Sequence, residues 1–366
     1  MPNWDVVYYL DTDIQYSSYW IYGLEQLARQ GVIRLSKELT WSFDFPRPFK
    51  VHVLVLRIRK HNIPSDNWTY IALDSWDHGS RFLRELLPHV EVYYKSNYNQ
   101  HEIDQLAEHE KSKIKMAGLY YPVRLADNNI KFFLDILAFY SFTLDKHALP
   151  GFFRLTSGNV RKRFLYLAKR IRVNRGRLKA SDYPAYRAQT IKPTQVFFNS
   201  SVWQPTHSED LNSQRADIVK ILHERTDIQF IGGLRPSPIS REHYPDLILE
   251  HEPSHAEYMT IVGESGVVIN TRGVGHCFAW KLPEYLAAGG CILSAKQHNQ
   301  LPEPLREGEE VLWYEDDLSD FSDKLDMLLN DAKLCEHLRQ GAARYYDRWV
   351  DPEQAIKRIL LDAVPL

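Results

Sequence analysis

Short apolar segments alternate with stretches of helical spacing along most of the chain, and this alternation limits its fold more than any other feature. Asp5–Leu10 and Val90–Tyr94 are predicted strands, Tyr19–Gln30 and Asp77–Leu87 are predicted helices, and a second alternation begins at Thr194. Strands that alternate with helices predict a parallel sheet covered on both faces. The length of 366 residues fits two domains. We therefore predict an α/β fold of two Rossmann-like domains facing a central cleft, where ligands of such sheets bind.

The remaining predicted elements complete two domains and a last helix. We expect an N-terminal domain over 1–185, a second domain over 190–350 and a C-terminal segment over 351–366. The other predicted strands are Lys50–Ile58, Trp68–Leu73, Gln195–Asn199, Ile228–Ile231, Asp246–Leu249, Val267–Asn270, Cys291–Ser294 and Glu310–Tyr314. The other predicted helices are Asn129–Leu144, Ser208–His223, His255–Val262, Pro283–Ala288, Leu318–Asn330, Ala332–Asp347 and Asp351–Leu361.

A strongly basic segment, residues 159–192, separates the two alternations. From Asn159 to Pro193 there are eleven Lys or Arg residues and one acidic residue, Asp182. Apolar residues such as Phe164 and Ile171 are interleaved with the charges. The segment is either a solvated connector or a basic amphipathic surface facing anionic lipid headgroups or a phosphate-bearing acceptor. Both interpretations stay open.

The composition excludes several other classes of function. The net charge of −2 does not fit a nucleic-acid-binding protein. No run of 18 apolar residues could span a membrane, and the N-terminus lacks the form of a secretory signal. Three cysteines, Cys277, Cys291 and Cys335, have no metal-ligand spacing. We therefore expect a cytoplasmic protein, peripheral at the membrane if the basic segment binds lipid, with no metal site.

The segment CFAWKLPEYLAAGGCIL, Cys277–Leu293, carries the clearest chemical signal. Pro283 favours the first turn of a helix, so we expect a helix start at Leu282–Pro283 with free backbone N–H groups. Such a start attracts phosphate, and Lys281 adds a full positive charge. Glu284, in the first turn, can accept hydrogen bonds from two adjacent hydroxyls. The segment therefore predicts a site for a phosphate and a ribose.

A longer stretch, VVINTRGVGHCFAWKLPEYLAAGGCILSAK, resembles the donor-binding segment of GT-B-fold glycosyltransferases of the group 1 or exostosin-like type. The resemblance covers roughly Thr194–Leu361. It implies that Glu284 holds the ribose of a nucleotide sugar and that Arg272, Lys281 and the helix start hold its diphosphate. It also implies that the helix Asp351–Leu361 crosses back to the N-terminal domain.

One position departs from the pattern of the family. Many retaining members carry a second glutamate eight positions before the ribose-binding one, and His276 stands there in this sequence. The resemblance therefore leaves inversion or retention at the anomeric carbon undetermined. The ring nitrogens of His276 remain candidates for a contact with the sugar or phosphate.

Other candidate donor-binding residues lie at strand ends or helix starts. A small residue such as Gly273 permits close approach of the backbone to a ligand. His255 and Tyr258 open the helix before the donor segment and could contact the base or the sugar. The full set of predicted donor-binding residues is Glu284, Lys281, Arg272, Gly273, His276, Leu282, Asn199, Ser200, His255 and Tyr258.

Asp77 and His78 are the candidate catalytic residues. An inverting transferase needs a general base that takes the proton of the acceptor hydroxyl, and both residues follow a predicted strand of the first domain. Asp77 could instead cap the following helix. Asp11 and Asp13 resemble the metal-binding pair of a different glycosyltransferase fold, but they also suit a turn.

These features predict a metal-independent glycosyltransferase of polysaccharide biosynthesis. It would transfer a sugar from a nucleoside diphosphate to a hydroxyl of a glycan or lipid-linked acceptor, without a cofactor. One alternative is a sugar-nucleotide epimerase, which would keep the Glu284 site but need no acceptor. Another is a non-catalytic glycan-binding subunit of a polysaccharide assembly complex, which His276 in place of the second glutamate would suit.

Overall fold

The computed structural model describes residues 2–10, 12–38, 43, 52–61, 67–125, 134, 165, 168–169, 171–204 and 209–365. Apart from residue 134, the predicted helix Asn129–Leu144 lies outside these residues, and so do Asp11 and residues 159–164, 166–167 and 170 of the basic segment. The chain forms two compact units. Unit 1 comprises Met1–Trp76, Ser80–Ala180 and Asp351–Leu366, and unit 2 comprises Asp77–Gly79 and Ser181–Val350.

Unit 1 is built on a six-stranded sheet in the order β2-β1-β3-β4-β5-β6. The strands are β1 Trp4–Tyr9, β2 Ile33–Glu38, β3 Val53–Lys60, β4 Thr69–Asp74, β5 Val92–Lys95 and β6 Ile114–Met116. Strand β3 runs antiparallel to both of its neighbours and the other pairs are parallel, so the prediction of a parallel sheet is wrong at β3. Asp74 and Lys95, the last residues of β4 and β5, are register partners. Their side chains therefore lie side by side at one edge of the sheet.

Two long helices of unit 1 pack closely although they come from opposite ends of the chain. The helix α1, Ile14–Arg29, is capped by Asp13, whose side chain accepts the N–H of Gln15. A Cβ on Gly23 would lie 2.2 Å from the carbonyl oxygen of Pro352, so only glycine permits this approach to the last helix. Trp4 Nε1 also donates to the carbonyl of Val364 over 2.9 Å. The short helices α2, Gln100–Asp104, and α3, Glu108–Lys111, complete the α-helices described in this unit up to residue 125.

Unit 2 contains a parallel five-stranded sheet in the order β11-β10-β9-β7-β8. Its strands are β7 Lys192–Ser200, β8 Gln229–Leu234, β9 Ser265–Asn270, β10 Ile292–Ala295 and β11 Leu312–Tyr314. Its helices are α4 Glu209–Glu224, α5 Pro238–His243, α6 His255–Glu264, α7 Lys281–Ala287, α8 Phe321–Asn330 and α9 Ala332–Tyr345. The last helix of the chain, α10 Pro352–Ala363, belongs to unit 1. The core of unit 2 lies between this sheet and its helices and includes Val196, Ile218, Ile269 and Leu325.

The predicted fold class, an α/β protein with two sheets, is confirmed, whereas several individual elements differ from the prediction. The predicted helix Asp77–Leu87 is wrong because only Arg84–His89 is helical, as a 3₁₀ helix. The predicted strand Asp246–Leu249 is a 3₁₀ turn over Pro245–Leu247 with a single bridge from Leu234 to Ile248. Across the described ranges, none of the helices has the length and apolar character of a bilayer span.

Candidate functional site

The loop after β9 folds back on itself before α7 begins. The N–H of Gly273 donates to the carbonyl of Cys277 over 2.8 Å, and a Cβ on Gly273 would lie 2.3 Å from the sulfur of Cys277. Gly275 and His276 both have left-handed backbone conformations, with φ of 65° and 61°. Glycine adopts this conformation at little cost, whereas a histidine does so rarely. The backbone of this loop is therefore tightly constrained at the carboxyl end of β9.

Arg215, a buried residue of α4, holds the end of β9 against the segment that follows β7. Its Nε donates to the hydroxyl of Thr271 over 3.2 Å, and its Nη2 donates to the carbonyl of Arg272 over 2.7 Å. Its Nη1 donates to the carbonyl of Ser201. Burial lowers the pKa of Arg215 to about 10. Within the described chain no carboxylate forms an ion pair with it. The positive charge is therefore compensated only by dipoles of neighbouring neutral groups.

Lys281, the first residue of α7, places a second cation near this buried arginine. Its Nζ is buried and has no hydrogen-bond partner in the part of the chain that the structure describes. The aromatic ring of Phe198 lies next to the ammonium, with its centroid 4.5 Å from Nζ. Burial, and then the charge of Arg215, hold the pKa of Lys281 well below its ordinary value. An unpaired buried ammonium is costly, so the arrangement favours an anionic ligand beside Nζ.

The start of α7 offers fewer backbone donors than the sequence predicts. The helix begins at Lys281, one residue before the expected Leu282, and is seven residues long. The N–H of Leu282 donates to the carbonyl of Ala279 over 2.9 Å, its side chain is buried, and Pro283 has no N–H. The positive groups at this place are thus side-chain cations, and the first N–H groups of the helix contribute little.

Glu284 lies in the first turn of α7 with one carboxylate oxygen already engaged. The residue is only 8% exposed. Its Oε1 accepts the hydroxyl of Tyr183 over 3.3 Å and lies 3.1 Å from Nε2 of His255. In the described part of unit 2, no side chain or backbone group is bonded to Oε2. The carboxylate is thus fixed by one oxygen, and the other is available to a hydroxyl of a ligand.

Aromatic rings line the surroundings of this carboxylate. The rings of Tyr258 and Tyr285 lie nearly parallel with centroids 6.4 Å apart, and Phe197 meets Tyr258 edge-on at 5.4 Å. His255 also packs against Tyr258, with centroids 5.9 Å apart. Burial raises the pKa of Tyr258 well above its ordinary value, so its hydroxyl stays protonated. Phe197 and Tyr285 are fully buried, so the partly exposed rings of Tyr258 and His255 are the ones available to a sugar or a base.

Three polar side chains, those of His276, His298 and Asp316, hold the guanidinium of Arg272. Its Nη1 lies 2.9 Å from Nδ1 of His276 and 2.9 Å from Nε2 of His298, and its Nη2 lies 3.3 Å from a carboxylate oxygen of Asp316. Because a guanidinium only donates, both ring nitrogens must accept and be unprotonated. Burial and the charge of Arg272 lower the pKa of His276, which agrees with this neutral state. The arginine is therefore positioned but partly neutralised by Asp316.

Asn199 and Ser200 lie at the carboxyl end of β7, next to the end of β8. Asn199 pairs with Gly233 and Ser200 pairs with Leu234. Both side chains are mostly buried, and Oδ1 of Asn199 has no hydrogen-bond partner among the described residues. An acceptor at this edge suits a hydroxyl or amide donor of a ligand better than a phosphate.

Asp77 and His78 belong to unit 2, and the structure brings them to the loop after β9. A Cβ on Gly275 would lie 2.2 Å from Nδ1 of His78, so the imidazole packs directly on the backbone of this glycine. Burial, and then the charge of Asp77, raise the pKa of the Cys277 thiol. Both candidate catalytic residues thus lie beside the segment 273–277 that also carries candidate donor-binding residues.

Sequence reasoning missed four residues of this arrangement: Arg215, Tyr183, His298 and Asp316. Only Arg215 has a signal in the sequence, because it shares a helix face with the buried residues Leu211 and Leu222. An arginine on an apolar face must find buried partners. In the ranges that the structure describes, no group of three His, Cys, Asp or Glu side chains is placed to hold a metal ion.

A comparison with protein families matches residues 215–360 to a family described as "Glycosyl transferase-like". The match begins at Arg215 and includes the loop after β9, α7 and α9. The resemblance seen in the sequence is thus confirmed over these residues. No curated protein matches the chain.

Solved structures with a similar course of the chain are distant. They include the C-terminal domain of a group 1 glycosyltransferase, LpcC, from Francisella tularensis, with 16% identity, 45% of this chain and 90% of that chain covered, and a TM-score of 0.33. TarM shows 13% identity over 48% of this chain and 36% of its own, with a TM-score of 0.36. A UDP-GlcNAc 2-epimerase from Neisseria meningitidis shows 10% identity over 78% and 68%, with a TM-score of 0.37. Similarity at this level carries no argument about activity.

Proposed function

We propose that this chain, which over residues 215–360 is glycosyltransferase-like, transfers a sugar from a nucleoside diphosphate to a hydroxyl of a glycan or lipid-linked acceptor. The observation that carries the proposal is the buried Nζ of Lys281, which has no hydrogen-bond partner among the described residues. It lies one helical turn from the carboxylate of Glu284, which is held there through one oxygen. A cation without a counter-ion suits a phosphate, and a carboxylate oxygen without a donor suits a ribose hydroxyl. These groups are neighbours in a nucleoside diphosphate.

In this proposal the donor is bound at three of its parts: the diphosphate, the ribose, and the base or the sugar. Lys281 pairs with the diphosphate, with Arg272 at the other side of the loop. Glu284 accepts hydrogen bonds from the ribose through Oε2, while Tyr183 and His255 keep Oε1 in place. Tyr258 offers its ring to the base or the sugar. The neutral imidazole of His276 then suits an uncharged hydrogen bond to the sugar or the phosphate.

Chemistry follows from stabilising the leaving group. The bond between the anomeric carbon and the diphosphate oxygen breaks, and its electron pair stays on the diphosphate, where Lys281 and Arg272 stabilise the added charge. The acceptor oxygen forms the new bond to the anomeric carbon and loses its proton. In an inverting reaction Asp77 or His78 takes this proton, because both lie beside the donor-binding loop.

The setting of the reaction is part of the same proposal. We place it in polysaccharide assembly in the cytoplasm, with the basic segment 159–192 meeting an anionic membrane surface or a phosphate-bearing acceptor. The charge imbalance of this segment in an otherwise balanced chain supports the proposal.

Calorimetry with a panel of nucleoside diphosphates tests the donor site. Glu284→Ala should weaken binding of the best diphosphate by about 30- to 1000-fold, since charged hydrogen bonds contribute roughly 1.5–3 kcal/mol each and 1.4 kcal/mol is tenfold. A 2′,3′-dideoxy analogue should bind the native protein poorly and lose little more in Glu284→Ala. The control is Glu336→Ala, an exposed glutamate of α9.

Three results would count against the proposal. Unchanged affinity in a folded Glu284→Ala variant would remove the ribose role. Conversion of a sugar nucleotide to its epimer without any acceptor would favour the epimerase, and no turnover of any sugar nucleotide would favour the non-catalytic subunit.

A further inference from the structure

Unit 1 contains a fully buried ionic cluster, Asp74, Tyr93 and Lys95, that the proposed function does not use. Nζ of Lys95 lies 3.0 Å from Oδ2 of Asp74, and neither side chain is exposed. The hydroxyl of Tyr93 donates to the same oxygen over 2.9 Å. Buried ion pairs often stabilise a fold no better than apolar residues of similar volume would. Stability alone therefore does not explain why this cluster is charged.

The remaining bonds of the cluster all go to one short segment, residues 76–83. Oδ1 of Asp74 accepts the N–H of Trp76 over 2.7 Å. Nζ of Lys95 donates to the carbonyl of Arg81 over 2.8 Å. The hydroxyl of Tyr93 accepts the N–H of Leu83 over 3.1 Å. Each member of the cluster thus bonds to a different residue of the segment: Asp74 to Trp76, Lys95 to Arg81 and Tyr93 to Leu83.

The same bonds explain why this segment is not the helix that the sequence predicts. A helix over residues 77–87 would need the N–H of Leu83 for a bond to the carbonyl of Gly79, but this N–H donates to the hydroxyl of Tyr93. The amide of Asn97 adds a further bond, to the carbonyl of Trp76, over 2.8 Å. Side chains that are distant in the sequence therefore set the backbone of residues 76–83.

We infer that Asp74, Tyr93 and Lys95 are positioning residues that clamp the segment 76–83 and so fix the place of Asp77 and His78. The consequence for catalysis rests on the proposed function, in which one of these two residues takes the acceptor proton. The clamp itself rests only on the three bonds to Trp76, Arg81 and Leu83. Burial and the neighbouring Asp74 raise the pKa of Tyr93 well above its ordinary value, so its hydroxyl stays protonated.

The test compares Tyr93→Phe with a matched control, Tyr98→Phe. Tyr98 lies in the same core cluster, but its hydroxyl donates to Gln100 and not to the segment. Trypsin cleavage after Arg81, an exposed arginine within the segment, reports whether the segment is held. In Tyr93→Phe we expect cleavage about tenfold faster and a kcat for transfer about tenfold lower, with the donor dissociation constant unchanged. Tyr98→Phe should change none of these.

The double variant Asp74→Asn, Lys95→Met covers the case in which Tyr93→Phe does not fold, because it removes both charges together. It should show the same faster cleavage. Equal cleavage rates in the native protein and the cluster variants would overturn the clamp. Faster cleavage with unchanged kcat would overturn its link to Asp77 and His78. A native protein that transfers no sugar would refute the proposed function, and cleavage would still decide the clamp.

Discussion

Replacing Lys281 with methionine should affect the free protein and the nucleotide complex in opposite directions. Methionine fills a similar volume and removes an ammonium that has no partner among the described residues. Replacing buried ions by apolar groups of similar size is neutral or stabilises by about 1–4 kcal/mol. For a protein with units of this size, a gain of about 1–2 kcal/mol raises Tm by about 2–8 °C. We therefore expect a higher Tm without ligand.

Nucleotide binding should weaken in the same variant. A hydrogen bond to a charged group contributes roughly 1.5–3 kcal/mol, so the affinity for a nucleoside diphosphate should fall about 10- to 150-fold. At a ligand concentration of about 100 times the native Kd, the native protein gains about 2.7 kcal/mol, and a variant 100-fold weaker gains only about 0.4 kcal/mol. The ligand-induced rise in Tm should thus nearly disappear.

The pH dependence follows from the lowered pKa of Lys281. Between that pKa and the ordinary value of 10.5, the unfolded chain binds a proton at this lysine and the folded chain does not. The free energy of unfolding contributed by this group therefore rises with pH across the window. Affinity for the diphosphate falls with pH in the same window, because binding must then take up a proton. Lys281→Met should show neither slope.

Thermal unfolding with and without ligand, together with calorimetry at several pH values, checks all three expectations. Lys333→Met, at an exposed position of α9, is the control for loss of charge alone. A lower Tm of free Lys281→Met would show that Nζ has a stabilising partner. Native affinity in this variant would show that the ammonium does not meet the phosphate. Either result refutes the reasoning.

The remaining predictions concern catalysis and the membrane. The variants Asp77→Asn and His78→Ala should each be measured for sugar transfer and for donor binding. The variant that lacks the general base should have a kcat lower by about 100-fold or more, with unchanged donor affinity. Native rates in both variants would place the base elsewhere or indicate a retaining reaction. Replacing Arg161, Lys162 and Arg163 with serine should reduce sedimentation with anionic vesicles at low salt and leave nucleotide affinity unchanged. Native protein that stays in the supernatant under these conditions would contradict the lipid contact.

The candidate site was predictable where its functional residues are close together in the sequence. Lys281, Pro283 and Glu284 share one helical turn, so their neighbourhood follows from the sequence. Tyr183 and Arg215 were missed because they reach the site only through folding. Tyr183 lies 101 positions before the glutamate to which it donates. Hydrogen bonds over such separations leave no periodic signal.

The fold shows the same division between local and distant causes. Short apolar runs predicted most strands of both sheets, because strands buried along their whole length, such as β1 and β9, are recognisable locally. The antiparallel direction of β3 was missed, since a strand has the same pattern in both directions. Asp77–Leu87 was predicted as a helix from its spacing, but the N–H of Leu83 donates to Tyr93, so a partner outside the segment decides its backbone.

The origin of α10 in the last residues of the chain has a consequence for biosynthesis. Domains generally fold as units while the chain is synthesised, the N-terminal one first. Here α1 is made early, whereas the helix that covers Gly23 is made after the residues of unit 2. The residues Ser181–Val350 of unit 2 are continuous and can fold as they emerge. We therefore infer that unit 1 is completed only after these residues of unit 2 have been synthesised.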